Sequence, residues 1–191
     1  FGHIKFVVPI LNPLFYKQIL KYLRMCCFKC HKLLKKIDKC NFCEEIHPKV
    51  IGLENNGAAC VFKDGRKLQL SSEDIYHIFD KITDEDISKI GLNDRCHPRN
   101  LIITYFPVAP IKTRPCVMAN LMTCDDDLTV KYVEIIKANR RMIKSLESGS
   151  MPVQKDILNL DFHVKTFIDN TQFKAKYVNG RSMKSIKERL S

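Results

Sequence analysis

No apolar run in these 191 residues approaches the roughly 20 needed to cross a bilayer, and nothing has the layout of a signal peptide. The usual catalytic signatures are missing too. There is no Gly-x-x-x-x-Gly-Lys phosphate loop, no Gly-x-Ser-x-Gly elbow and no His-Glu-x-x-His pair. A regular disulfide framework is also lacking. Nine cysteines is an odd count, and Cys26, Cys60, Cys96, Cys116 and Cys124 follow no spacing rule. That suits a reducing, intracellular setting better than a secreted cystine scaffold. What is present, a hydrophobic fraction of 45%, is enough for a core and argues against wholesale disorder.

The net charge of +11 is unevenly spread. Residues 1–50 carry ten Lys/Arg against three acids, residues 51–130 nine against twelve, and residues 131–191 thirteen against six. Two basic ends around a near-neutral middle suit a polyanionic partner, most simply nucleic acid. Solvated lysines on helix surfaces are the plainer alternative. The chain opens on Phe1 without an initiator methionine and stops inside a basic stretch, as expected of a piece of a longer protein.

The strongest local signal is Cys27-x-x-Cys30 followed nine residues later by Cys40-x-x-Cys43. Two such pairs on a short lysine-rich connector can close four thiolates around one metal ion, and zinc suits soft sulfur ligands and tetrahedral closure. A closed shell leaves no open position for chemistry, so residues 27–43 are expected to form a structural zinc-binding loop. Unrelated cysteine pairs or disulfides are the alternative. His31 or His47 could replace one thiolate, although a surface or hydrogen-bonded histidine is the simpler role.

Asn12-Pro13 predicts a helix start, with Leu14, Phe15, Ile19, Tyr22, Leu23 and Cys26 at helical spacing leading into the first cysteine pair. Residues 50–53 are strand-like. Ala58–Phe62 and Lys67–Leu70 flank Lys63-Asp64-Gly65-Arg66, a hairpin signal. Ser71 with Asp74 predicts a capping box for a short helix bearing Ile75, Ile78, Phe79 and Ile82; a second follows Thr83 and stops at Gly91. Residues 101–106 predict a strand that Pro107, Pro110 and Pro115 keep from being central. Two longer helices are expected near 127–146 and 153–170. The fold class is mixed α+β, helix-rich, with a zinc-bearing loop and a small β-hairpin element.

No catalytic residue stands out. Asp125, Asp126 and Asp127 could hold magnesium, but their place before an apolar-periodic helix favours capping and helix-dipole electrostatics. The final segment carries Lys174, Lys176, Arg181, Lys184, Lys187 and Arg189 against one acid, around an Asn179-Gly180 turn. It is a candidate phosphate-gripping loop, or a solvated tail.

Several segments in order resemble the largest subunit of multisubunit DNA-directed RNA polymerases, in the clamp region near its N-terminus. Phe1-Gly2-His3-Ile4 is similar to the end of Cys-x-Gly-His-Phe-Gly-His-Ile. Cys27-x-x-Cys30 with His31-Lys32-Leu33-Leu34 resembles Cys-x-x-Cys-Gly-Lys-Leu-Leu. Pro107-Val108-Ala109-Pro110 and Arg114-Pro115 resemble Pro-Val-Pro-Pro…Val-Arg-Pro. Asp126-Asp127-Leu128-Thr129 and Ile136-Lys137-Ala138-Asn139 are similar to Asp-Asp-Leu-Thr…Ile-x-Lys-Ala-Asn. Gly180 to Ile186 resembles Gly-Arg-Pro-Val-Lys-Ser-Ile.

The resemblance spans nearly all 191 residues. It implies a clamp holding the DNA template and RNA–DNA hybrid, Cys27, Cys30, Cys40 and Cys43 as structural zinc ligands, a lid-like loop at 116–125 and a rudder-like loop at 170–184. It implies the second-largest and smaller polymerase subunits as partners, no membrane, and a nuclear or, if viral, virus-factory or virion location. The Asn-Ala-Asp-Phe-Asp-Gly-Asp motif that holds catalytic magnesium in the full enzyme is absent, so these residues alone are not expected to polymerise. Departures at Cys96–Asn100, at Ser182 and in the arginine-free lid segment point to a divergent member, such as one from a large DNA virus. The competing classes are a free-standing zinc-ribbon nucleic-acid-binding adaptor, and a redox protein with an exposed low-pKa thiolate at Cys27 or Cys30.

Overall fold

The computed structural model describes residues 1–34, 39–119 and 122–190. Seven strands and six helices are found among them. In chain order they are β1 (Gly2–Leu11), α1 (Tyr16–Met25), β2 (Lys49–Glu54), β3 (Gly57–Val61), β4 (Lys67–Ser71), α2 (Ser72–Asp80), α3 (Asp84–Lys89), β5 (Ile102–Val108), β6 (Val117–Ala119), β7 (Met122–Cys124), α4 (Asp127–Glu147), α5 (Gln154–Ile168) and α6 (Ile186–Leu190). They form two compact units, Val8–Ile103 and Phe1–Val7 with Thr104–Ser191. β1 and β5 pair as a two-stranded sheet.

In the unit of residues 8–103, β2, β3 and β4 form an antiparallel meander. The turn before β4 is the expected Asp64-Gly65, with Gly65 at φ +84°. The turn before β3 is Asn55-Asn56, whose φ values of +49° and +56° belong to the left-handed region that asparagine tolerates. Gly57 follows because a Cβ there would lie 2.2 Å from the Leu70 carbonyl oxygen. Ile19 and Leu23 of α1, Ile75 and Phe79 of α2, Ile87 of α3 and Val50 of β2 fill the core beneath.

Helix starts follow the sequence with one shift. Ser71 and Asp74 make the full capping box of α2, and Thr83 caps α3. Asn12, however, caps a 3-10 turn over Pro13–Phe15 rather than α1 itself. Leu14 and Phe15 consequently lie exposed instead of joining the apolar face.

In the other unit, α4 and α5 form a helical hairpin through a turn at Gly149, φ +75°. Ile135, Met142, Leu160 and Val164 are buried, and Phe106, Tyr132 and Phe167 pack ring against ring at centroid distances of 4.7–6.1 Å. β5 runs on through Pro107, past the expected end at residue 106. A two-stranded sheet leaves each strand one unladdered edge, so the missing N–H costs no pairing there. β1 was not foreseen. Its buried Phe6, Val8 and Ile10 alternate with more exposed neighbours, but Pro9 interrupts the run and masks the period-two signal.

Two buried asparagines clasp β1, one in each unit. Asn139 accepts from Val7 N–H at 3.0 Å and donates to the Lys5 carbonyl at 2.9 Å. Asn56 accepts from Leu11 N–H and donates to the Pro9 carbonyl, both at 3.0 Å. Each primary amide copies the donor–acceptor pair of a neighbouring strand.

Candidate functional site

α1 ends at Met25 with Cys26 extended, which delivers the chain directly into the first cysteine pair. The two pairs then fold alike. Cys27 N–H donates to the Lys32 carbonyl (2.9 Å) and the Cys27 carbonyl accepts from His31 N–H (3.0 Å); in the same way Cys40 N–H donates to the Glu45 carbonyl (2.9 Å) and its carbonyl accepts from Glu44 N–H (3.1 Å). Bridges at Cys26–Leu33 and Lys39–Ile46 close each knuckle. All four Sγ atoms lie within 4.8 Å of one another, with Cys27–Cys43 at 3.6 Å and Cys30–Cys40 at 3.5 Å.

A tetrahedral ion with metal–sulfur bonds of about 2.3 Å requires sulfurs about 3.8 Å apart. The donor set therefore fits a metal, and none of these cysteines is in a disulfide. Burial pushes the Cys27 thiol up to about 12. At Cys40 burial also raises the pKa, but the Cys43 and Phe42 N–H groups and the Cys30 and Cys43 thiols outweigh it and bring it to about 6. Cys27 and Cys30 are both raised, the reverse of the low-pKa thiolate that a redox role at either would need. A bound cation would hold all four as thiolates. Neither histidine enters the set. His47 is buried with Nε2 2.7 Å from the Cys26 carbonyl, and Phe28 packs on its ring.

The position after each second cysteine is left-handed, at φ +61° for His31 and +58° for Glu44. Glycine avoids the Cβ–carbonyl clash that costs other residues about 1 kcal/mol there. His31→Gly should therefore tighten metal binding, by about fivefold if the full 1 kcal/mol appears in the bound state. Competition against a chromophoric chelator measures this, and unchanged or weaker binding would contradict the strain argument.

The basic segment is a short hairpin rather than a loose tail. Lys176 bridges Ser182, Tyr177 N–H donates to the Arg181 carbonyl (2.8 Å), and Gly180 turns the tip at φ +82°. Asn170, buried just before it, bonds the Ala175 amide and carbonyl and the Met183 carbonyl. The hairpin is moored on Asp127. That carboxylate accepts from Tyr177 Oη (2.7 Å), Lys184 N–H (2.8 Å) and the Arg181 guanidinium. Asp126 caps α4 through Leu128 N–H and pairs with Arg189 at 2.7 Å; Lys187 pairs with Asp169.

Three of the six candidate cations, Arg181, Lys187 and Arg189, are thus engaged within the chain. Lys174, Lys176 and Lys184 have exposed side chains with no ion pair among the described residues. The aspartate cluster does the capping work favoured from the sequence, and no acidic metal cluster is found among the described residues. The mooring role of Asp127 was missed; a 50-residue separation from Tyr177 leaves no local pattern to find.

The lid-like segment contains the antiparallel ribbon of β6 and β7, paired Val117–Cys124 and Met118–Thr123, with its residues 120–121 outside those described. Before it, Arg114 reaches the Ala109 carbonyl and Thr129 Oγ1, both at 3.0 Å, tying the proline-rich turn to α4.

The fold and its four-sulfur cradle define an α+β protein with a structural-metal motif. The family described as RNA polymerase Rpb1, domain 1 matches residues 29–191, and the chain belongs to that family. It is 28% identical, over its whole length, to the DNA-directed RNA polymerase subunit Rpo1N of Methanocaldococcus jannaschii. A Frog virus 3 protein whose name assigns it to the DNA-directed RNA polymerases is 30% identical, again over the whole chain. Rpo1N of Halobacterium salinarum is 36% identical over 70% of it. The chain spans only 17%, 16% and 14% of these relatives' lengths, respectively. No helix among the described residues is long and apolar enough to cross a membrane.

Proposed function

We propose that this chain is the clamp region of the largest subunit of a DNA-dependent RNA polymerase, holding the DNA template and RNA–DNA hybrid while catalytic aspartates outside these residues carry the magnesium. Zinc is the metal proposed for Cys27, Cys30, Cys40 and Cys43; bound there, it would cross-link two knuckles and offer no open position for catalysis. The second-largest and smaller polymerase subunits are the proposed partners. The nucleus or, for a viral enzyme, the virus factory or virion is the proposed compartment.

The observation that carries the reading is the moored hairpin. Asp127, Tyr177 and Asn170 fix its shape, so that Lys174, Lys176 and Lys184 present positive charge at small entropic cost. The family match supports the same assignment. Residues 116–125 are proposed as the lid, and the hairpin within 170–184 as the rudder. Binding of the chain to an RNA–DNA hybrid, titrated against salt, tests it. Changing Lys174, Lys176 and Lys184 together to alanine should weaken binding and flatten the log–log salt slope by up to about 0.9 per lost phosphate contact. An unchanged slope, at unchanged thermal stability, removes the hairpin from the interface.

A further inference from the structure

A groove separate from the basic hairpin lies beside the metal cradle. It has a volume of about 640 Å³, within the range of ligand sites. Val50, Ile51, Val61 and Phe62 form its apolar walls; Arg24 and Lys49 supply positive charge, and no acidic side chain is among the described residues that line it. A second hollow of about 340 Å³ shares His47 and Phe62 with it and adds Phe28, Ile46 and Leu68.

Two features shape the groove along β2. β2 is an edge strand, and its register with β3 slips between Val50 and Gly52, leaving Ile51 unpaired with a side chain 58% exposed. Arg24 donates to the Val50 carbonyl from Nη2 (3.1 Å) and Nε (3.3 Å), which fixes the guanidinium against the strand.

The chemistry discriminates among occupants. A phosphate site usually offers backbone N–H groups at a helix N-terminus or nest, whereas none of the described residues lining this groove opens a helix. Base stacking requires open aromatic faces; of the two rings lining the larger hollow, Phe62 has the Arg66 guanidinium 4.9 Å from its centroid and His47 has the Phe28 ring at 4.2 Å. Aliphatic walls with cations and no acids complement carboxylates flanking a bulky apolar side chain.

We propose that this groove docks an acidic segment of a partner protein, with an aromatic or aliphatic side chain among Val50, Ile51, Val61 and Phe62 and carboxylates against Arg24 and Lys49. The assignment is independent of the clamp reading, because none of these residues belongs to the metal quartet or the hairpin.

The probe is a short fluorescein-labelled peptide rich in Glu and Asp around one Phe and one Leu, read by anisotropy against the metal-loaded chain. Lys49→Glu and Ile51→Ser should each weaken binding about tenfold or more. Lys144→Glu, on α4, imposes the same net-charge change at a residue that does not line the groove and should have a much smaller effect. Replacing the peptide's Phe and Leu by Ser should abolish groove binding. The proposal fails if Lys49→Glu and Lys144→Glu act equally, which reports only bulk charge, or if the Ser-substituted peptide binds as well. It also fails if a single-stranded oligonucleotide loses affinity with Lys49→Glu but not Lys144→Glu, which would make the groove a nucleic-acid site. Matching metal content and melting temperature among variants keep misfolding from imitating any of these results.

Discussion

Cys40→Ser should lower bound metal from about one ion per chain to nearly none and melt both knuckles together. Cys40 is buried and faces Cys30 at 3.5 Å, so its loss leaves three sulfurs and an open side in a shell that fits four. Without the ion, each knuckle keeps only a few hydrogen bonds and one isolated bridge apiece, far too little to offset ordering entropy. Zinc binding in such small sites is worth about 10–16 kcal/mol and is coupled to folding. The meander and helices α1–α3 should survive, because their core is a separate apolar cluster around Leu23, Ile75 and Phe79. Elemental analysis of freshly reduced protein, with amide hydrogen exchange over 27–34 and 39–46, checks this. Full metal content in the variant would show that Cys40 is not a ligand.

The second large effect is expected at Asp127. Its side chain is nearly buried and receives three donors from a segment more than 45 residues away. Asp127→Ala strands the Tyr177 hydroxyl and the Lys184 amide, and should cost about 3 kcal/mol by the usual penalty for orphaned partners of a charged group. For a chain of this size that lowers the melting temperature by roughly 6–12 °C. Asp127→Asn should recover little, since its NH2 would face a donor wherever the carboxylate had met one.

Burial by itself raises the Asp127 pKa, but the Lys184 amide, the Tyr177 hydroxyl and the Arg181 and Arg189 charges outweigh it, so the group titrates below its usual value. Its stabilisation is therefore complete above the unfolded pKa of about 3.9 and is lost as pH falls through the lower folded value. Melting curves from pH 6 downward should lose this contribution in the wild type and show no such loss in Asp127→Ala. Parallel curves would contradict the mooring.

Much of this was legible where residues act through near neighbours. The Cys-x-x-Cys spacing, the Ser71–Asp74 box and the Asp64-Gly65 turn each carry their geometry within a few positions. The helices near 127–147 and 154–168 announced themselves by length and period. What stayed hidden depends on distance in the chain. Nothing around Tyr177 or Arg181 shows that one hydrogen-bonds and the other pairs with Asp127, and their basic context suggested ligand contact instead. Likewise Asn55-Asn56 lacks the glycine that marks most tight hairpins, and His31 and Glu44 stand where left-handed backbone would favour one.

The asparagine clasps on β1 have a protective consequence. A strand's outer row of amides and carbonyls is a template onto which a foreign strand can zip. Here Asn139 occupies the Lys5 and Val7 groups and Asn56 those of Pro9 and Leu11, so a would-be intruder meets side-chain amides instead of vacant docking points. A ten-residue strand rich in Val, Ile and Phe is thereby kept from sticking to its own kind.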